Sequence, residues 1–156
     1  MRIANNTVDW ILKAVAFLCC AATALIVAVR WNKLPDKIPT HFELNGEPNG
    51  FGGKKMLIVL LVVMVAITGL MYLSEMFPKM WNLPVKITDS NREFVYRTVK
   101  YFMEVETIIM ITFLAGPIIA IVFSKTYPGW IIFIQLGVFT VAFIATMVFI
   151  AVKGRG

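Results

Sequence analysis

Met56–Leu73 reads MLIVLLVVMVAITGLMYL, eighteen consecutive residues without a charge. Its β-branched content would favour a strand in water. Length decides otherwise. A helix needs about 20 apolar residues to cross a hydrocarbon core, and in lipid only helices and closed barrels satisfy every backbone group. Three further runs of this kind lie at about residues 10–31, 101–123 and 130–152. The sequence therefore predicts an all-α integral membrane protein, residues 1–156 forming a single domain of four transmembrane helices arranged as two hairpins.

Composition agrees. Hydrophobic residues make up 59% and charged ones 15%, against about 45–50% and about 25% in soluble domains. The net charge of +6 does not point to nucleic acid, because the cations sit beside the ends of apolar runs, where they anchor helices and meet lipid headgroups. Cys19 and Cys20 are adjacent within the first run and read as small buried hydrophobes, not as a disulfide or metal pair. No nucleophile elbow, His-Glu-x-x-His, phosphate loop or dinucleotide fingerprint is present. No cofactor is expected, and nothing in the sequence signals an enzyme.

Trp10 and Trp31 bracket the first run as interfacial anchors, and its apolar residues continue beyond the cleavage-like Ala22-Thr23-Ala24, so an uncleaved helix is expected. Lys13 reads as a lysine snorkelling back to the interface, and Glu75, at the end of the second run, as a solvated carboxylate. In the connection 77–91, Pro78 and Pro84 block helix continuation, while Phe77, Met80, Trp81 and Leu83 suit the headgroup region. Thr88 or Ser90 can cap a third helix that runs to Ser124, and Ser90 with Glu93 has capping-box spacing. That helix is about 50 Å long, so its first turns, with Arg92, Glu93, Arg97 and Lys100, should project from the membrane. Glu104 can pair with Lys100 one turn back, whereas Glu106 has no local partner. Gly116-Pro117 offers a mid-span kink, and Gln135 an interhelical hydrogen bond or a pore-lining group.

Between the first two runs lies the 22-residue stretch Leu34–Lys55, LPDKIPTHFELNGEPNGFGGKK, which contains the only histidine. Its alternation puts Ile38, Phe42 and Leu44 on one face and Pro39, His41 and Glu43 on the other. An ordered loop is expected, its apolar face laid on the bilayer or the helix ends. Asn45-Gly46 signals one tight turn and Glu47-Pro48-Asn49-Gly50 a second, with Phe51 re-anchoring the loop. Pro39, His41, Phe42, Glu43, Asn45, Gly46 and Phe51 are the candidate ligand-binding residues. His41 has three readings: a metal ligand with Glu43 and Glu47, a thin set; a general base, for which the sequence specifies no nucleophile; and, favoured, a hydrogen-bonding residue that shapes the loop or touches a partner. Glu104, Glu106 and Gln135 form a separate candidate ion or proton site.

With both termini on one side, that side holds Arg2, Lys13, Lys79, Lys86, Arg92, Arg97, Lys100, Lys153 and Arg155, nine cations against six (Arg30, Lys33, Lys37, Lys54, Lys55, Lys125). The excess places the termini in the cytoplasm and the 34–55 loop outside.

The loop resembles the bacterial membrane family catalogued as domain of unknown function 1648. Its pattern, Leu-Pro-x-x-Ile-Pro-x-His-Phe, a glycine turn, then an aromatic-glycine pair and a lysine, is met by Leu34, Pro35, Ile38, Pro39, His41, Phe42, Gly46, Phe51, Gly52 and Lys54 or Lys55. Asn49 stands where the family usually has aspartate, and Phe51 where it has tryptophan or tyrosine. The segment FPKMWNLPVKITDSNREFVYR resembles the stretch that follows in single-domain members. The resemblance implies a bacterial inner-membrane protein. The family's best-known relatives are SdpI-type immunity proteins, which protect the cell from a secreted, membrane-active toxin peptide. The expectation is thus binding of a peptide or lipid through the outer loop, with self-association into a homo-oligomer available through small-residue helix faces. The alternatives are a small transporter or channel component and, less favoured, a metal-assisted membrane enzyme.

Overall fold

A computed structural model describes residues 4–123 and 126–154. The expected helix end at Ser124 and the cations Arg2, Lys125 and Arg155 lie outside the described residues. Helix α1 spans Thr7–Arg30, α2 Met56–Ser74, α3 Arg92–Val122 and α4 Trp130–Lys153. All four are long and apolar enough to cross a membrane, so this is a multi-pass membrane protein. The chain is mostly helical rather than all-α: strands β1 (Lys37–Phe42) and β2 (Pro48–Gly53) pair antiparallel between α1 and α2.

Helix α3 is the organising element. It packs against each of the other three helices. At one end Ile118, Ile121 and Val122 meet Val27 of α1, Leu57 of α2, and Leu34 and Ile38 from the intervening connection. In the middle Ile111 meets Ala16 and Met64. At the other end Val95, Tyr96 and Val99 pack with Ile150 of α4 and with Trp81, Leu83, Val85 and Ile87. Trp81 and Leu83, expected among headgroups, pack with Val85 and Ile87 as an apolar strip over the first turns of α3, whereas Phe77 and Met80 stay exposed. Gly154 and Asn5 both reach this same end of α3.

The caps also differ from expectation. Helix α1 starts with a capping box in which Asn6 Oδ1 accepts from the Asp9 N–H at 3.0 Å and Asp9 Oδ2 accepts from the Asn6 N–H at 2.6 Å. Before α3, the Ser90–Glu93 box does not form. Thr88 and Asn91 exchange backbone N–H bonds through their side chains instead, and Asn91 also donates to the carbonyls of Lys86 and Gly154. Asn91 wins the position because its amide can also donate and so fasten the C-terminal end of α4, which a serine cannot do at that reach. Helix α3 runs unbroken through Pro117. Gly116 serves packing there: a Cβ at this position would lie 2.8 Å from the Tyr127 hydroxyl.

Candidate functional site

The β1–β2 hairpin is anchored by one residue. Ile38 is 1% exposed and sits in the core formed by the ends of α1, α2 and α3. Its base is closed where Lys54 N–H donates to the Asp36 carbonyl at 3.0 Å, while the Lys54 ammonium pairs with the Asp36 carboxylate and lies over the Trp31 ring. At the tip, Glu43 N–H donates to the Glu47 carbonyl and Gly46 N–H to the Glu43 carbonyl. Asn45 Oδ1 accepts from the Glu47 N–H at 2.9 Å, a local turn bond of the kind short amide side chains favour. Residues 48–50, expected as a second turn, are strand β2. The first turn already reverses the chain, so this segment is free to pair.

The pairing is irregular, and the irregularity builds the site. Pro39 faces Phe51, His41 faces Gly50, and Phe42 faces Pro48, which leaves Thr40 and Asn49 as extra residues. Gly50 and Gly52 leave room for their neighbours: a Cβ would lie 3.0 Å from the His41 Cβ in one case and 2.8 Å from Thr40 Cγ2 in the other. The extra residue in β2 sets the Asn49 amide between two side chains of β1. His41 Nδ1 bonds Asn49 Oδ1, and Asn49 Nδ2 donates to Glu43 Oε1 at 3.4 Å. Because the amide oxygen can only accept, His41 donates through Nδ1, and its Nε2 is the free acceptor. His41 and Glu43, expected on one face, are thus bridged by Asn49, which the sequence marked only as a turn residue and a departure from the family pattern.

The tip rests on the α3–α4 connection, a support the sequence did not announce. Gly129 N–H donates to the Leu44 carbonyl at 3.1 Å, and Phe42 meets Tyr127 edge-on at 6.4 Å. Gly46 has φ +89°, and a Cβ there would fall 2.9 Å from Pro128 N; one on Gly129 would fall 2.9 Å from Leu44 Cα. Two glycines thus allow backbone to approach backbone. Tyr127 is buried in this contact, and burial pushes its phenol above the ordinary value.

Two cavities flank β1. The outer one, about 650 Å³, is lined by His41, Glu43, Leu44 and Asn45 on one wall and by Ile132 and Phe133 of the first turn of α4 on the other. The inner one, about 380 Å³, lies among Ile38, Phe42, Pro117, Ile121, Tyr127 and Ile132. Of the expected binding residues, His41, Phe42, Glu43 and Asn45 line the outer cavity. Pro39 lines the inner one, and Gly46 positions the tip. Phe51 points into neither and is 62% exposed. Leu44 is exposed rather than pressed inward, because the chain turns at the tip before its side chain can follow Phe42. Among the described residues no three His, Cys, Asp or Glu side chains stand close enough to hold a metal.

Residues 18–82 match the family model described as Domain of unknown function (DUF1648). No curated protein and no solved structure matches the chain. The DUF1648 segment contains the whole hairpin and α2, and it stops short of the Tyr127–Gly129 support and of both later helices. The hairpin thus lies inside the matched segment, and the match says nothing of what it leans on.

The second candidate site is not brought together. Glu104 turns away from Lys100 and accepts from Lys13 at 2.8 Å, while Lys13 also donates to Glu75 at 2.5 Å and lies over the Tyr72 ring. Lys100 goes to Asp9 at 3.0 Å and to Asn5 at 2.5 Å; Arg97 bonds Asp9 at 3.3 Å and the Ala4 carbonyl. This network corrects the snorkelling Lys13 and the solvated Glu75; of the α3 cations, Arg97 and Lys100 bond Asp9 of α1, while Arg92 pairs locally with Asp89. Each charge in the network finds an opposite charge on another helix, and a buried pair is favoured over a lone charge reaching for water. Burial raises the proton affinity of Glu75, partly offset by the Lys13 ammonium. Glu106 lies elsewhere on α3, buried with both carboxyl oxygens lacking a hydrogen bond among the described residues. Gln135 lines an apolar cavity with Met110, Phe113 and Phe139, and its expected interhelical bond is absent among the described residues, its Oε1 being unpaired.

Proposed function

We propose that the hairpin 37–53 is the recognition element of a peptide-binding membrane protein and that its ligand is a cationic, amphipathic peptide lying at the bilayer surface. The observation that carries this reading is the two-sided character of the 650 Å³ cavity: hydrogen-bonding groups on the hairpin wall, apolar Ile132 and Phe133 on the helix wall. A ligand that is polar on one face and apolar on the other fits such a site. Residues 38–53 carry Glu43 and Glu47 and no lysine or arginine, so the tip attracts cations. His41 Nε2, Glu43 and Asn45 supply acceptors for ammonium or guanidinium groups. The adjoining inner cavity suits an apolar side chain. Mechanistically this is capture, without a chemical step, and it supports an SdpI-like protective role in the bacterial plasma membrane, with the hairpin outside and both termini in the cytoplasm.

The test is survival of cells expressing the wild type, His41→Ala or no protein, challenged with a panel of cationic membrane-active peptides. Protection by the wild type, lost in His41→Ala, is expected. Equal survival with and without the protein across the panel overturns the proposal. One observation favours a second reading, transport: the buried, unpaired carboxyl of Glu106. Proteoliposome flux abolished by Glu106→Gln is its expected signature, and flux unchanged by that substitution removes the residue from any such role.

A further inference from the structure

At the opposite end of the bundle from the hairpin lies a cavity of about 590 Å³ lined by Asn5, Trp10, Lys13, Tyr72, Glu75 and Lys100. We infer that this cavity is a binding site for a zwitterionic headgroup bearing a primary ammonium, as in an ethanolamine phospholipid. The inference is independent of the peptide site.

Three observations carry it. The first is hydrogen-bond accounting. Glu75 Oε1 and Tyr72 Oη are buried and without a hydrogen bond among the described residues, and both side chains line the cavity. The Glu75 side chain is 7% exposed. Behind it, Glu104 Oε2 and Asp9 Oδ1 are likewise unpaired. Three of these four atoms are carboxylate oxygens that can only accept, so the site asks for a donor-rich group. A buried acceptor without a donor costs about 1–3 kcal/mol. The second is charge. Asp9, Glu75 and Glu104 balance Lys13, Arg97 and Lys100, three against three. A bare cation would leave this network with an uncompensated positive charge, and a zwitterion would not. Lys100 spends two of its N–H groups on Asn5 and Asp9, and a third remains for a phosphate oxygen. The third is position. Glu75 directly follows the last residue of α2, and Trp10 is 62% exposed, which puts the mouth at headgroup depth, where tryptophan concentrates. The Trp10 ring supplies a face that attracts an ammonium, the Tyr72 ring already carrying Lys13.

The experiment uses the full chain in nanodiscs holding equal amounts of ethanolamine and choline phospholipids, with lipid retention read by native mass spectrometry after delipidation. Retention of the ethanolamine lipid about tenfold over the choline lipid is expected, falling stepwise as the amine is methylated, since each methyl removes one N–H donor. Glu75→Gln should abolish the preference. Tyr72→Phe, which removes a hydroxyl that bonds nothing in the described chain, should reduce it and keeps the test valid if Glu75→Gln does not fold. Added free ethanolamine separates the sources: displacement at millimolar concentration assigns the site to soluble amines, and no displacement assigns it to the lipid. Equal retention of the two lipids by the wild type, or a preference unchanged in both variants, overturns the inference.

Discussion

Gly46→Ala tests whether the hairpin tip is held by the α3–α4 connection. Two costs arise, and they act differently. The residue has φ +89°, and a non-glycine residue in the left-handed region pays about 1–2 kcal/mol. That cost stays with the hairpin whether or not it is docked. The new Cβ would also meet Pro128 N at 2.9 Å, Pro128 Cα at 3.0 Å and Tyr127 C at 3.1 Å. These are backbone atoms that cannot rotate aside, and overpacking of this kind costs about 1–3 kcal/mol. Undocking relieves this second cost. It competes with the contacts that hold the tip: one backbone hydrogen bond, worth about 1 kcal/mol, and the Phe42–Tyr127 pair, worth about 0.5–1.5 kcal/mol. The docking equilibrium should therefore shift by about 5- to 140-fold. Hydrogen exchange of the Gly129 amide, which donates to Leu44, reads this directly and should accelerate by that factor. Gly53→Ala is the control, since a Cβ there meets nothing within 4 Å. Unchanged exchange at Gly129 in Gly46→Ala, or equal acceleration in Gly53→Ala, would refute the reasoning.

Lys13→Met strands Glu75 and Glu104 without their shared ammonium and should destabilise the bundle by about 3–5 kcal/mol. Denaturant titration in mixed micelles measures it, and adding Glu75→Gln and Glu104→Gln should recover most of the loss. Asn91→Ala removes the only side-chain tie recorded between the start of α3 and Gly154 among the described residues, at a cost of about 1–3 kcal/mol; earlier proteolysis of the C-terminal turn is the readout. Tyr127 gives a pH dependence. Its folded phenol ionises above the ordinary value of 10.0, so the unfolded chain loses its proton first, and stability falls as pH rises from about 10 through the folded value. Thermal melts of Tyr127→Phe should lack that part of the alkaline fall. Asn49→Leu should weaken peptide capture as much as His41→Ala does, because it releases both His41 and Glu43; binding of a labelled cationic peptide to the nanodisc-held protein checks it.

The two ends of the molecule are built on different principles. The hairpin end is organised by shape: Ile38 fills the core, glycines permit close approach, and the polar groups are left outside. The other end is organised by charge, with six ionised side chains from α1, α3 and the end of α2 closing on one another. Helix α3 joins the two, so a disturbance of either end is felt by the same element. This division matches the two proposed ligands, a peptide where acceptors face an apolar wall and a headgroup where a balanced network leaves acceptors unpaired.

What the sequence determined by itself is the part fixed by local physics. An unbroken apolar run in lipid has only helix available to it, so the four helices were legible from apolar length. The order of the turn at Asn45-Gly46 was also legible, because a left-handed backbone has few tolerant residues. The partners of charged and hydrogen-bonding side chains were not. Lys13 and Glu75 stand 62 positions apart, and Lys13 and Glu104 stand 91 apart, so no spacing rule links them, whereas Lys100 and Glu104 have helical spacing and do not pair. Asn49 joined His41 and Glu43 only because β2 carries an extra residue, and Tyr127–Gly129 became a support only because α3 and α4 bring that connection to the hairpin. Helical periodicity and apolar length are written along the chain; ion pairs across helices, and a glycine kept free for another backbone, exist only once the chain has packed.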